Sequence, residues 1–426
     1  MKLVKKAGFL AACLILSAGM LFAGAGSDKS GGGAATTTLN LWHIYADESR
    51  GVPIEAAAKR FEAANPGVKV VISTYANDPY KTKLKTVSGD DFPDVFHSWG
   101  GGWLKSFVDA GLVADITTEA NAAAGQLNPV AVNFNNYGGK IYGVPYTSGS
   151  TILYYNKAIF AKYNLQAPKT WSELERVCDT LLANKVTPFA LANKTKWPGA
   201  QHFVLISMRL GGGDIFQKAN NKEIKFTDDV FIQAGQRIQT MVDKGWFPTG
   251  ANGLDWDTGG SRMLMYTEQC AMILQTSGLM GTVRNENREF YDTKLGLALY
   301  PAIEGGKGKA SDILAGENAF SVSANSKSKA LATKLAVFLA TDTEIQQSFL
   351  NNGIIAAKPG LQSSDVHVRE ALQQLADATF LQNYIDQTLS PELAEVHKDT
   401  TQALYGKTMT PQQAAQAMQT NFDAGK

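Results

Sequence analysis

The chain has 426 residues, 44% of them hydrophobic, and is therefore longer than one hydrophobic core usually grows, which predicts two domains. It carries 40 Lys and Arg against 39 Asp and Glu, a formal charge of +1. Removal of an N-terminal leader with three lysines would make the charge slightly negative, and a balance this close to neutral argues against nucleic acid as a partner.

Residues 1–25 have the features of a secretory signal peptide. Three lysines precede an apolar run at 7–22, and Ala23-Gly24-Ala25 fits a small-residue cleavage site. The run is too short to predict a membrane span, and no later stretch of about 20 apolar residues follows. The sequence therefore predicts export, with 26–36, rich in Ser and Gly, as a flexible tether.

Cleavage would leave Cys178 on a helical apolar face and Cys270 in an apolar strand. Export permits a disulfide, but these positions favour free, buried thiols. Two cysteines without nearby histidine pairs do not indicate a metal site, so neither a metal nor another cofactor is expected.

The first part of the chain alternates strands and helices. Apolar spacing and stop signals predict strands at 38–42, 68–72 and 94–97 and helices at 49–64, 79–87 and 104–110. This alternation predicts an α/β fold with a parallel-type sheet.

The segment 137–174 combines several signals. After a Gly138-Gly139 turn, a predicted strand ends at Pro145, a polar link covers 147–150, and a second strand covers 151–155. Thr170 and Glu173 fit a capping box at the start of a helix. Two strands joined by so short a link can belong to two different sheets.

Helices follow at 171–183, 200–210 and 229–244, and strands at 268–274 and 296–299. The stretch 316–322 leads into a helix at 329–340. The last part of the chain, 367–423, is predicted to be helical.

Four stretches, GGKIYGVPY, LYYNKAIFAKYNLQAPKTWSEL, FEAANPGVKVVI and FPDVFHSWGGGWLKSFVDAGLVADI, resemble extracellular solute-binding protein family 1, the maltose-binding-protein-like subunits of ABC sugar importers. The likeness spans nearly the whole mature chain. It implies an α/β, two-lobed periplasmic binding protein type II fold with a ligand cleft between lobes joined by three crossing segments, the third at 353–359. The implied lobes are 37–146 plus 317–357 and 147–316 plus 358–426.

In open α/β sheets, ligands bind beyond the carboxyl ends of strands, so the loops after the predicted strands are the candidate site. A sugar needs flat rings for its apolar faces and both donors and acceptors for its hydroxyls. The predicted ligand-binding residues, some of them carried over from the family likeness, are His43, Tyr45, Asp47, Ser98, Trp99, Tyr146, Thr147, Trp197, Trp256, Gln275, Ser277, Gly278, Glu317 and Asn318.

Several of these residues have a second interpretation. Asp47 could cap the helix near Ser49, and Glu317 could satisfy only backbone groups. Trp197 and Trp256 could lie in surface loops. Many relatives have an aromatic residue after Gly278, where this chain has Leu and Met, so a maltose-like stacking pattern is not implied.

The resemblance implies a non-enzymatic, extracytoplasmic subunit that binds a mono- or oligosaccharide and delivers it to ABC permease subunits served by a cytoplasmic ATPase. A monomer, periplasmic or tethered at the outer face of the membrane, is expected. Three alternatives stay open: a secreted glycan-acting enzyme, a binding protein for a non-sugar solute such as a polyamine, and a receptor that presents sugar to a chemotaxis protein. The chain lacks G-x-S-x-G and H-E-x-x-H motifs.

Overall fold

The computed structural model describes residues 36–425, except the side chain of Asp90. The predicted signal peptide and the tether up to residue 35 lie outside the described residues. Within the described range, no helix combines the length and the apolar character that a membrane crossing requires.

Nine of the strands in the described range form one hydrogen-bonded network, in the order β2-β1-β3-β10-β6-β8-β7, with β11 beside β10 and β9 beside β6; β4 and β5 form a separate hairpin. The bounds are β1 Thr37–His43, β2 Val68–Thr74, β3 Val95–Ser98, β4 Asn136–Tyr137, β5 Lys140–Ile141, β6 Val144–Asn156, β7 Thr187–Phe189, β8 Cys270–Thr276, β9 Leu295–Ala298, β10 Asp312–Val322 and β11 Phe380–Asn383.

The helices of the described range cover the faces of this network. They are α1 Gly51–Ala64, α2 Asn77–Thr86, α3 Gly102–Asp109, α4 Thr117–Ala122, α5 Pro129–Asn133, α6 Lys157–Lys162, α7 Trp171–Ala183, α8 Trp197–Gly211, α9 Ile215–Asn220, α10 Asp229–Asp243, α11 Gly260–Tyr266, α12 Leu279–Glu286, α13 Lys329–Thr341, α14 Thr343–Asn351, α15 Val366–Ala376, α16 Ile385–Thr388, α17 Pro391–Gly406 and α18 Pro411–Asp423.

The long strand β6 divides the network into two half-sheets. Its first part pairs antiparallel with β10, whereas its second part, from Thr151, pairs with β8 and β9. The half-sheet that contains β1, β2 and β3 is the centre of the first lobe, and the half-sheet that contains β7, β8 and β9 is the centre of the second lobe. The protein therefore has the predicted two-lobed α/β fold.

Strand alternation places side chains on both faces of each half-sheet. In the first lobe, Leu41 packs into a core cluster with residues of α1 and α13, whereas Trp42 packs with residues of α2 and α3. In the second lobe, Leu153 packs with residues of α8 and α10, and Tyr154 packs with residues of α12 and α15. Each half-sheet is thus buried between two layers.

The prediction that a strand ends at Pro145 is wrong. β6 runs through Pro145 without a break and pairs it with Ala319 of β10. The register shifts between Asn318 and Ala319, and such a bulge can leave one position without a ladder hydrogen bond, so a residue that lacks an N–H is tolerated there. The stretch 147–150, expected as a link, is the middle of the strand.

The parallel-type sheet is found only in part, because β1 pairs parallel with β2 and β3 but β10 is antiparallel to β3. The helical prediction for 367–423 missed β11, which pairs parallel with β10. The capping box of Thr170 and Glu173 is confirmed. Cys178 and Cys270 are both buried and free, as predicted.

A third segment runs beside β6. The Ser148 N–H donates to the Ile355 carbonyl at 2.9 Å, and the Ala357 N–H donates to the Tyr146 carbonyl at 3.2 Å. Together with β6 and β10, this stretch brings three chain segments side by side between the lobes.

Candidate functional site

A cavity of about 600 Å³ lies between the two lobes. The loop after β1, the loop after β3 and the start of α2 line it from the first lobe, and the β8–α12 turn, the start of α8 and α16 line it from the second. Ten predicted site residues line this cavity: Tyr45, Asp47, Trp99, Thr147, Trp197, Trp256, Ser277, Gly278, Glu317 and Asn318. Their contact with a ligand stays a prediction.

His43 and Tyr146 were expected at the cavity but lie behind its wall. Both are completely buried. His43 Nδ1 accepts a hydrogen bond from the Tyr45 N–H at 3.1 Å, and burial lowers the His43 pKa to about 4 although Asp47 opposes this shift. The Tyr146 hydroxyl lies 2.7 Å from His97 Nδ1, and its ring stacks on Phe320. These side chains support the residues that face the cavity.

Ser98 and Gln275 were also expected at the cavity, and they too are buried behind it. Ser98 Oγ lies 2.8 Å from Ser321 Oγ. Gln275 Oε1 accepts from Gln201 Nε2 at 3.3 Å, and it is Gln201 that lines the cavity. All four belong to strands and their side chains are buried, whereas the cavity wall is formed by residues further along the chain, in the loops after β1 and β3, in β6 from Thr147 and at the end of β8.

Asp47 is held by an ion pair at the cavity wall. Arg50 Nη2 and Nε donate to Asp47 Oδ2 at 2.8 and 3.1 Å, and the guanidinium lies 4.1 Å from the centre of the Tyr45 ring. Burial alone would raise the Asp47 pKa, but Arg50 and the Ser49 hydroxyl reverse this and lower it. Asp47 also accepts from the Arg50 N–H, but Arg50 is itself the N-cap of α1 and no side chain caps this helix, so the helix-cap interpretation of Asp47 is wrong.

Trp99 is almost fully buried, and Lys81 Nζ lies 4.5 Å from the centre of its ring. Lys81 faces Asp386 of α16 across the lobes at 3.8 Å. Burial lowers the Lys81 pKa, and Asp386 opposes this shift. The Lys81 side chain therefore leaves only part of the Trp99 ring for a ligand.

Trp197 and Trp256 form an aromatic pair in the second lobe, with ring centres 5.4 Å apart in an edge-to-face arrangement. Arg262 fixes Trp256 from behind, because its Nη1 donates to the Trp256 carbonyl at 3.1 Å and its guanidinium lies 5.1 Å from the ring centre. Arg262 is itself bound by both carboxylate oxygens of Glu286, at 2.8 and 2.9 Å. The pair is thus a fixed apolar surface.

Glu317 is only 3% exposed. Its Oε1 accepts from the Gly100 N–H at 2.8 Å and from Asn135 Nδ2 at 3.1 Å, while Oε2 has no hydrogen-bond partner among the described residues. Burial raises the Glu317 pKa to about 8, and the two hydrogen bonds oppose this shift. The interpretation that Glu317 satisfies only backbone groups holds in part, because one of its two donors is the Asn135 side chain, and the residue also lines the cavity.

Several residues that line the cavity were not predicted from the sequence. Arg50 had a detectable signal, since it follows Asp47 by three residues and can pair with it locally. Tyr384, Asp386 and Gln387 had none, because they come from α16 and the turn before it, far along the chain. Gln201 lay within a predicted helix, and no periodic pattern distinguishes the turn of a helix that faces a cavity.

Three ion pairs line the cavity: Asp47 with Arg50, Glu286 with Arg262, and, at the longer distance of 3.8 Å, Lys81 with Asp386. Asp257 and Glu317 also line it and form no ion pair among the described residues. The remaining surface combines aromatic rings with hydroxyl and amide groups. Such a surface suits a ligand that is uncharged where it lies in this cavity, with apolar faces and many hydroxyls. Neither Asp47 nor Glu286 is free for acid–base chemistry, because each is bound by an arginine and has a lowered pKa.

Residues 45–345 match the family model for bacterial extracellular solute-binding proteins. The match covers more than half of the chain, and the protein therefore belongs to this family, as the resemblance predicted. The members of this family are binding proteins that act outside the cytoplasm.

Two curated relatives match over most of their length. A multiple sugar-binding protein of Streptococcus mutans is 25% identical over 328 residues, 75% of either chain. A galactooligosaccharide-binding protein of Bacillus subtilis is 26% identical over 355 residues, 80% of this chain and 78% of the relative.

Solved structures show the same fold. A protein studied for xylan utilization by the thermophilic bacterium Caldanaerobius polysaccharolyticus superposes with a TM-score of 0.85 at 31% identity, covering 90% of this chain and 99% of that one. A chitin oligosaccharide binding protein gives a TM-score of 0.84 at 22% identity, over 91% and 98% of the two chains. Because its identity is only 22%, the likeness to the chitin oligosaccharide binding protein bears on the fold alone.

Proposed function

We propose that this protein is the extracytoplasmic binding subunit of an ABC sugar importer and that it binds a small saccharide in the cavity between the lobes. The observation that carries the proposal is the pairing of charges around a cavity that also holds aromatic rings from both lobes. The names of the two curated relatives support a sugar as the ligand.

The dimensions of the cavity support a small glycan. Its volume of about 600 Å³ lies within the range of about 300–1,000 Å³ that is usual for small-molecule sites. A polyamine would instead need several unpaired carboxylates. Asp47 and Glu286 are both neutralised by arginines, which leaves Asp257 and the buried Glu317, whose pKa of about 8 disfavours its charged form.

Closure of the lobes is part of the proposal. The lobes would comprise 37–146 plus 317–357 and 147–316 plus 358–426, and they would rotate about β6, β10 and the stretch 353–359. A ligand that binds the closed form better shifts the population toward it, and the closed form would be recognised by the membrane permease. The subunit is proposed to act as a monomer, with transport driven by the partner ATPase.

The proposal is tested with a broad panel of mono- and oligosaccharides, with spermidine and short peptides as comparison ligands. Saccharide at about 100 times its Kd should stabilise the protein by about 2.7 kcal/mol. We expect a melting-temperature rise of several degrees and a smaller radius of gyration in X-ray scattering. A shift with spermidine or peptides and none with any saccharide would refute the sugar ligand, and release of reducing ends would indicate an enzyme.

A further inference from the structure

A second cavity of about 290 Å³ adjoins the first. On one side it is lined by α2 of the first lobe, and on the other by the loop before α8 and by α17 of the second lobe. Lys81 lines both cavities, so a ligand that fills the first one ends next to the second. The second cavity has room for a substituent rather than for a whole oligosaccharide.

The second cavity differs from the first in its charge. Five lysines and only two carboxylates line it, together with two threonines; the residues are Asp78, Lys81, Thr82, Lys85, Lys194, Thr195, Lys196, Glu395 and Lys398. Lys398 is 95% buried and Lys81 is mostly buried, so these ammonium groups are not ordinary surface charges.

The lysines of the second lobe have close partners. Lys194 pairs with Asp255 at 3.0 Å, Lys196 with Asp399 at 2.5 Å, and Lys398 with Glu395 at 2.5 Å. Lys196 also lies 4.0 Å from Glu395, so the three second-lobe lysines are each compensated by a carboxylate, and the excess positive charge of the cavity must come from the first lobe.

The lysines of the first lobe are less well compensated. The nearest carboxylate to Lys81 is Asp386 at 3.8 Å, with Asp78 and Glu395 acting at longer range, and Lys85 makes no ion pair among the described side chains. They lie four residues apart on α2 and therefore on the same face of that helix. Burial lowers the Lys81 pKa, Lys398 adds to this shift, and the three carboxylates oppose it without reversing it.

Two further features mark the second-lobe side. Thr195 Oγ1 is buried and has no hydrogen-bond partner among the described residues. Lys196, the next residue, has a φ of 66°, which is uncommon for a residue other than glycine. An unsatisfied hydroxyl beside a strained backbone is typical of a site rather than of a passive surface.

We propose that the ligand is an acidic saccharide, with neutral rings in the first cavity and one anionic group, a uronate carboxylate or a sulfate ester, among the lysines of the second. This inference rests on the proposed function, because it extends the same ligand. The alternative is that the lysines only pair with carboxylates across the lobes and meet no ligand group.

The test uses oligosaccharides with xylan, galactan and chitin backbones. Each backbone is used in three matched forms: neutral, carrying a uronic acid, and carrying a sulfate ester. Calorimetry at 20 and 300 mM salt measures their affinities. We expect an acidic member to bind best and to weaken at the higher salt, because salt screens partly exposed charges. The uronate and sulfate arms distinguish the two anions.

Lys85→Gln should lower the affinity for the acidic ligand by roughly three- to tenfold and leave the affinity for the matched neutral ligand unchanged, because Lys85 lines only the second cavity. Lys329→Gln, an exposed lysine on α13 outside both cavities, is the charge-matched control and should affect neither. Neutral ligands that bind as well as acidic ones, or an equal effect of Lys85→Gln on both, would overturn the inference. Failure of every saccharide to bind would instead refute the proposed function.

Discussion

Gly149 of β6 pairs with Gly316 of β10 close to the point where both strands pass from one lobe to the other. The two positions differ in the space around them. A Cβ at Gly316 would lie 2.5 Å from the ring of Tyr384, whereas a Cβ at Gly149 would lie 3.3 Å from Ser277 Oγ. Gly316 is therefore required so that Tyr384 can reach the cavity wall.

We expect Gly316→Ala to destabilise the protein by about 1–3 kcal/mol and to lower its affinity for the saccharide, because the ring of Tyr384 must move. Gly149→Ala is the matched control and should change stability by less than about 1 kcal/mol. Urea denaturation and calorimetry with the best saccharide check both variants. Equal effects of the two substitutions would contradict the role assigned to Gly316.

Stability should depend on pH through Glu317. Its pKa of about 8 in the folded protein exceeds the value of about 4.3 of an unfolded glutamate. Glu317 therefore contributes fully to the free energy of unfolding below about pH 4, and this contribution is lost progressively as the pH rises to 8. Above pH 8 the free energy of unfolding no longer changes through this group. The whole change is on the order of a few kcal/mol.

Glu317→Gln keeps an oxygen that can accept from Gly100 but cannot ionise. We expect this variant to gain stability relative to the natural protein as the pH rises from 5 to 8.5, measured by urea denaturation at each pH. A stability difference that stays the same at both ends of this range would show that Glu317 does not titrate in this way.

The aromatic pair of the second lobe should contribute to affinity. Trp256 is partly exposed and held by Arg262, so Trp256→Ala should leave the fold intact and lower saccharide affinity by about tenfold, with partial recovery in Trp256→Phe. Trp246→Phe, in the buried core of the second lobe, is the control and should lower the melting temperature without changing affinity. Unchanged affinity in Trp256→Ala would remove this ring from the site.

The ion pair at the first-lobe wall can be measured by a double-mutant cycle. Asp47→Ala, Arg50→Ala and the double variant should give a coupling free energy of about 1 kcal/mol, because both side chains are only partly buried. The coupling should fall at high salt. Additive effects in urea denaturation would mean that the contact contributes nothing to stability.

Much of the fold was predictable because its signals are local. The alternation around Leu41, the cap formed by Thr170 and Glu173, and the turn at Gly138-Gly139 each depend on residues close together in the chain. The aromatic and polar loop residues near the strand ends were predictable for the same reason, and ten of the fourteen candidates line the cavity.

The remaining features depend on contacts between distant parts of the chain. That Tyr45 lines the cavity while His43 is buried behind it depends on how the chain turns after the end of β1, and the wall formed by α16 comes from a segment far from the other loops. The passage of Pro145 through β6 depends on a bulge at Asn318 of a partner strand. The sequence by itself thus determined the family and the kinds of group at the site, whereas only tertiary packing decided which of them face the cavity and that five lysines surround a second one.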